Sequence, residues 1–76
     1  AELKRECHFV NGSQRVRYLQ RLSYNRQQFL HFDSDRGYYV ADTEFGEPDV
    51  KKWNSDEAYM EQLRGEVDRF CRYNYE

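Results

Sequence analysis

No apolar run in the sequence approaches the roughly 18 residues of a membrane-crossing helix, so no segment of it is a candidate span. A dominant charge is also missing. Twelve basic and 14 acidic residues leave a net charge of −2, which argues against a polyanion as the main partner. Apolar residues make up only 38% of the chain, below the ~45–50% usual in globular proteins. Glycine and proline are absent from the closing stretch RFCRYNYE, residues 69–76, where a helix end ordinarily carries one or the other. The helix there is expected to continue beyond Glu76.

What is present is aromatic and sparse. Aromatics reach 17% and must hold much of the core. Seventy-six residues allow at most one domain, and a domain of this size buries only about 60% of its unfolded surface. A covalent staple, a partner, or both are needed. The two cysteines, Cys7 and Cys71, lie near opposite ends. An even count is compatible with one disulfide, which over such a loop stabilises by roughly 4 kcal/mol; two buried free thiols are the alternative. Asn11-Gly12-Ser13 is an N-glycosylation acceptor, meaningful in a secretory chain, and it favours an extracellular or lumenal setting.

The patterning predicts strands first and a helix last. Residues 2–9 alternate, with Leu3 and Cys7 on one parity and Lys4, Glu6 and His8 on the other. Asn11-Gly12 is a hairpin signal. Residues 15–24, 27–32 and 38–43 read as three further strands, with Asp35-Arg36-Gly37 as a turn. Pro48 suits a first helical position and Ser55-Asp56-Glu57 a cap followed by first-turn acids. Met60, Leu63, Val67, Phe70 and Cys71 recur at helical spacing, and Gly65 marks a bend. The expected fold is α+β: a four-stranded antiparallel sheet with one long, kinked helix on one face. A Cys7–Cys71 bond would turn the Cys7 face toward the helix, with Leu3 and Arg5 sharing that face. Arg5 belongs beside an open space rather than in a packed layer. One helix leaves half of the face uncovered, and a second sheet-and-helix unit beside it would make a groove.

Three motifs resolve into plain readings. Asp33-Ser34-Asp35-Arg36-Gly37 starts like a calcium loop but lacks the later ligands, so a polar turn explains it. His8 lies opposite in parity to Cys7, which removes a Cys–His pair, and no metal or cofactor is expected. Arg15, Arg17, Arg21 and Arg26 read as the solvated underside of a sheet rather than a nucleic-acid face. No nucleophile–base pair shares a face, so an enzyme is not expected. On the helix, Trp53, Tyr59, Leu63, Glu66, Phe70 and Asn74 form a second stripe. Aromatics at helical spacing are usually core, but a carboxylate and an amide among them need partners. Such a stripe suits a groove wall, since an amide such as Asn74 can bond both N–H and C=O of an extended peptide.

The segments ECHFVNGS, RQQFLHFDSDRGYYVADTEFGEPDVKKWNS and EVDRFCRYNY closely resemble the membrane-distal domain of a class II major histocompatibility β chain, collinearly over essentially the whole sequence. The resemblance implies half of a peptide groove completed by an α chain, with Cys7 and Cys71 bridged and Asn11 able to take a glycan. It implies that Trp53 donates to peptide backbone, that Asn74 bonds it bidentately, and that Asp49 pairs with an arginine of the α chain. Leu3, Arg5, Tyr18, Gln20, Leu22, Phe29 and Tyr39 would line the floor; Tyr59, Gln62, Leu63, Glu66 and Phe70 the wall. Tyr73 replaces a histidine common in the family, and Glu76 a glycine. By this resemblance residues 1–76 are one half-domain truncated at both ends, and the immunoglobulin-like domain and transmembrane segment lie outside it. The implied function is presentation of antigenic peptide to T-cell receptors by a membrane-anchored heterodimer of the cell surface and endosomes. A non-classical, chaperone-like relative that does not present peptide is the alternative. Arg5 and Glu66, opposite in sign, would give a central pocket for polar or charged anchors.

Overall fold

Alternating apolar and polar residues build one sheet in a computed structural model that describes residues 1–10 and 15–73. Strands β1 (Glu2–Phe9), β2 (Val16–Tyr24), β3 (Gln27–Asp33) and β4 (Tyr38–Ala41) form an antiparallel meander in the order β1-β2-β3-β4. The Asn11-Gly12 hairpin signal and the Asn11 acceptor lie outside the described residues. The β2–β3 link is a two-residue turn in which both Asn25 (φ 53°) and Arg26 (φ 67°) are left-handed. That conformation matches the twist of a tight hairpin, although Asn suits it better than Arg. Gly37, at φ 83°, closes the β3–β4 turn, where such a φ favours glycine.

The β2–β3 pairing contains an irregularity. Ser23 pairs with Gln28 and Leu22 with Leu30, so Phe29 is an extra residue on β3, a bulge. Beyond it, Phe32 lies opposite Gln20 on one side and Tyr39 on the other. Asp42 N–H bonds the Phe29 carbonyl (2.9 Å), and the single 3₁₀ turn Glu44–Gly46 settles on this spot. A Cβ at Gly46 would collide with the Phe29 carbonyl oxygen, so only glycine permits that approach.

The helical layer is kinked, as the pattern predicts, and it is kinked into pieces. Helix α1 (Glu47–Asn54) begins with Pro48 in its first turn and ends where Ser55 Oγ donates to the Lys51 carbonyl. Asp56, rather than the expected Ser55, is extended and caps α2 (Glu57–Arg64), its carboxylate accepting from Tyr59 N–H at 3.1 Å. Gly65 ends α2, and Val67–Arg72 continues as a π-helical segment, with Tyr73 N–H reaching back five residues to the Asp68 carbonyl. Arg69 also bonds the Gln62 carbonyl across this break. Helix α1 packs on β4, and the π-helical segment packs over β2. The Cys7–Cys71 disulfide ties that segment to β1, with Cα atoms 5.6 Å apart.

The core lies between these layers and is small: Tyr18, Leu30, Phe32 and Tyr39 of the sheet against Met60, Leu63 and Cys71. The molecule is a slab 16 Å thick, one sheet and one helical layer. Its underside is finished with ion pairs. Arg17 holds Asp33 bidentately, Arg15 reaches Asp35 at 2.6 Å, Arg21 reaches Glu6 at 2.9 Å, and His31 meets Asp42 at 2.9 Å. Asp33 and Asp35, which gave the turn its calcium-like look, are thereby committed to arginines, and Asp33 Oδ1 also accepts from Asp35 N–H.

The hydrogen bonds from Arg17, with the Asp35 N–H and nearby positive charge, hold the buried Asp33 carboxyl below its ordinary range. A carboxyl lowered on folding contributes stability above its unfolded pKa of about 3.9, and that contribution is lost as pH falls through the folded value. Thermal melts should therefore weaken progressively below about pH 4. Asp33→Asn should cost about 2 kcal/mol at neutral pH and flatten the acid limb. An unaltered acid limb in that variant would contradict the assignment.

Candidate functional site

The strand register sets the helix-facing surface in rows. Leu3 lies opposite Leu22, Arg5 opposite Gln20, and Cys7 opposite Tyr18. Continuing across the sheet, Gln20 meets Phe32, and Phe32 meets Tyr39. The helices cover the Tyr18–Phe32–Tyr39 side. Leu3, by contrast, is 56% exposed on the same face. An exposed leucine at the edge of a row that is buried farther in, at Leu30, is the shape of a shelf against a wall.

At the centre of the shelf stands Arg5. Its Nε donates to the Tyr18 hydroxyl (3.0 Å), and its Nη2 donates to Glu66 of the wall (3.1 Å). The guanidinium also lies 4.0 Å from the centroid of the Phe70 ring, a cation–π contact. Bonding to Tyr18, with lesser attraction to Glu66, raises the Arg5 pKa further above neutrality. Burial pushes the Tyr18 hydroxyl up, which keeps it a neutral donor and acceptor.

Toward β4 the lining turns aromatic. The Tyr39 ring lies 5.1 Å from Trp53 and 6.4 Å from Tyr59, stacked parallel on the latter. The Tyr39 and Tyr59 hydroxyls meet at 2.9 Å, and Gln20 Nε2 donates to the Tyr39 hydroxyl at 3.0 Å. Burial holds the Tyr39 hydroxyl well above its ordinary pKa. Polar edges set among rings can accept and donate to an extended chain while the rings bury its side chains.

Most of the sequence-expected residues occupy this surface. Arg5, Tyr18, Gln20, Tyr39, Trp53, Tyr59, Glu66 and Phe70 form the continuous polar–aromatic lining just described. Leu3 and Leu22 pair beside it, and Leu63 is buried under the wall. Gln62 is exposed on α2, and Asp49 is half-buried on α1. Phe29 stands apart: at the bulge its ring packs on Phe45, 5.1 Å away. Tyr73 is 82% exposed. Asn74 lies outside the described residues.

Asn54 carries a role that the sequence reading assigned to no residue. Its Oδ1 accepts from Tyr39 N–H (2.8 Å), and its Nδ2 donates to the Tyr39 carbonyl (3.1 Å). Strand β4 is a sheet edge, and this amide satisfies the outward-facing groups of one residue while docking α1. Ser34 acts similarly at the other end, its hydroxyl accepting from Tyr18 N–H at 2.8 Å. An amide adjoining Trp53 in a helix was the available signal for Asn54.

Comparison with known proteins matches residues 1–76 to the class II histocompatibility antigen, beta domain, family. The chain is 56% identical over 72 residues to the human HLA class II histocompatibility antigen, DR beta 3 chain, a match covering 95% of this chain and 27% of that protein. It is 56% identical over 71 residues to the class II histocompatibility antigen, B-L beta chain, of Gallus gallus, covering 93% of this chain and 31% of the relative. A mouse relative, the H-2 class II histocompatibility antigen, E-D beta chain, is 55% identical over 71 residues, covering 93% and 27%. The chain thus spans about three-tenths of these relatives' length.

The Asn54 bridge yields a local test. Asn54→Ala should expose the Tyr39 amide, speeding its hydrogen exchange and lowering stability by about 1–3 kcal/mol. Unchanged exchange at Tyr39 would show that the bridge does not hold the edge.

Proposed function

Because the chain belongs to the class II histocompatibility antigen beta-domain family, we propose that it supplies the β half of a peptide-presenting groove. The observation that carries this reading is the half-covered face: a polar and aromatic shelf beside a wall, with nothing of the described chain on its open side. An α chain would complete it. Edge strand β1 is eight residues long and pairs on one side only, so its outer ladder can extend the sheet into a partner. Asp49, half-buried on α1, would pair with an arginine of that chain.

In this arrangement an extended peptide lies along the shelf. Trp53 donates its indole N–H to peptide backbone, Asn74 bonds backbone N–H and C=O together, and Tyr73 offers a hydroxyl beside it. These contacts do not depend on peptide sequence, which lets one protein hold many peptides. Leu3, Leu22 and Gln62 complete the lining with the Arg5–Phe70 and Tyr39–Tyr59 groups, with Leu63 supporting the wall from beneath and Phe29 set apart against Phe45. Residues 1–76 act as one half-domain of a longer chain, anchored in the membrane and displayed at the cell surface and in endosomes, where T-cell receptors read the peptide. Asn11 carries a glycan. The role is binding rather than catalysis, and no cofactor takes part.

Asn74→Ala in the complete heterodimer should speed peptide release about tenfold, the effect of one or two lost hydrogen bonds. Unchanged release would favour the chaperone-like alternative. Arg5 and Glu66 bring opposite charges to one pocket, so peptides eluted from the complex should show polar or charged side chains at the central anchor. A dominant aliphatic there would overturn the pocket assignment.

A further inference from the structure

The hydrogen bonds across the shelf have a direction. Arg5 has only N–H groups to offer, so at 3.0 Å its Nε must donate to the Tyr18 oxygen. Tyr18 has one hydrogen left to give, and its partner at 2.7 Å is Gln20 Oε1. That orients the Gln20 amide, whose Nε2 donates to the Tyr39 hydroxyl at 3.0 Å. The Tyr39–Tyr59 pair is symmetric by geometry alone, since either oxygen could donate. The upstream bonds break the symmetry. Gln20 presents only N–H to Tyr39, so the acceptor left among these partners for the Tyr39 hydrogen is the Tyr59 oxygen. The Tyr59 hydrogen is then left over, on a residue 36% exposed at the wall.

We propose that Gln20 is a specificity-determining positioning residue: the chain from Arg5 through Tyr18, Gln20 and Tyr39 makes the Tyr59 hydroxyl a donor into the groove, which selects a peptide group that accepts a hydrogen bond. The inference rests on the peptide-presenting reading and adds a coupling to it. The charged centre of the shelf and its aromatic end, linked by four hydrogen bonds, select ligand chemistry together rather than independently. Burial of the Tyr18 and Tyr39 hydroxyls keeps both neutral, so the direction holds across physiological pH.

Gln20→Glu is nearly isosteric but removes the donor. A carboxylate accepts from Tyr18 and from Tyr39 alike, so the Tyr39 hydrogen turns toward it. Tyr59 must then donate to Tyr39, and it faces the groove with lone pairs only. Arg5→Met acts from the other end: without the guanidinium, Tyr18 is free to accept from a flipped Gln20, and the direction is no longer fixed. Arg5 is partly exposed and touches neither Tyr39 nor Tyr59 through any bond of the chain, so this variant serves where the buried carboxylate prevents assembly.

The test uses the complete heterodimer and a peptide sequenced from the wild-type complex. The peptide is resynthesised at each position with norleucine or with its ether isostere, O-methylhomoserine, which differs only by one acceptor oxygen. In the wild type, one position should favour the ether about threefold to tenfold in competition binding. Gln20→Glu and Arg5→Met should both bring that ratio to about one at the same position, a change that general loosening of the groove would not produce because both peptides share their shape. A ratio unchanged in both variants, or no position that favours the ether, overturns the relay while leaving presentation intact. Recovery of no peptide from the wild-type complex overturns the presenting reading and this inference with it.

Discussion

Cys7 and Cys71 join the first strand to the last helical segment, and the upper face takes its form from that bond. Among the described residues, the helical layer sends only Met60 and Leu63 fully into the core beside Cys71. A wall held by packing alone would need the intervening space filled with apolar side chains. Held covalently, it can stand over Arg5 and Gln20, side chains that a packed layer would reject for want of solvation. The same bond sets Phe70 above the Arg5 guanidinium. A cross-link between distant parts of the chain thus leaves room, and the room is chemically differentiated.

The two faces of the sheet differ in whether they are finished. Below, charges have counterparts on neighbouring strands, Arg17 with Asp33 and Arg21 with Glu6, and His31 is hydrogen-bonded to Asp42. Such a face is complete in itself and well solvated. Above, polar groups are linked in a row that ends at a partly exposed tyrosine, and Leu3 lies beside it with little cover. The asymmetry follows from parity alone, since successive residues of each strand serve opposite faces.

Much of this was legible in the sequence. Period-two alternation in residues 2–9 and the helical recurrence from Met60 gave the layers, and the arginine on the Cys7 face pointed to open space. The cap of α2 was legible only to within one residue: the pattern put it at Ser55 with Asp56 as a first-turn acid, whereas Ser55 ends α1 and Asp56 is the cap. Other features were hidden. Gly46 looks like a breaker, yet its glycine answers to the Phe29 carbonyl, a neighbour only in three dimensions. The direction of the Arg5–Tyr59 chain depends on four distances at once, and no spacing rule encodes it. Asn54 bonds a strand edge 15 residues earlier, so its role exists only after α1 has docked. Sequence patterns report faces; partners across the fold are set by register.

The bulge at Phe29 shows how much can hang on register. With the tight Asn25-Arg26 turn, unbroken pairing would place His31 opposite Gln20 and turn Leu30 and Phe32 toward water. The extra residue moves β3 along by one, bringing Leu30 and Phe32 under the helices and sending His31 and Asp33 below to meet Asp42 and Arg17. It acts on this hairpin as an insertion acts on a reading frame. Side chains in the groove can be exchanged one at a time without disturbing one another's faces, but the number of residues between Tyr24 and Leu30 has to be kept.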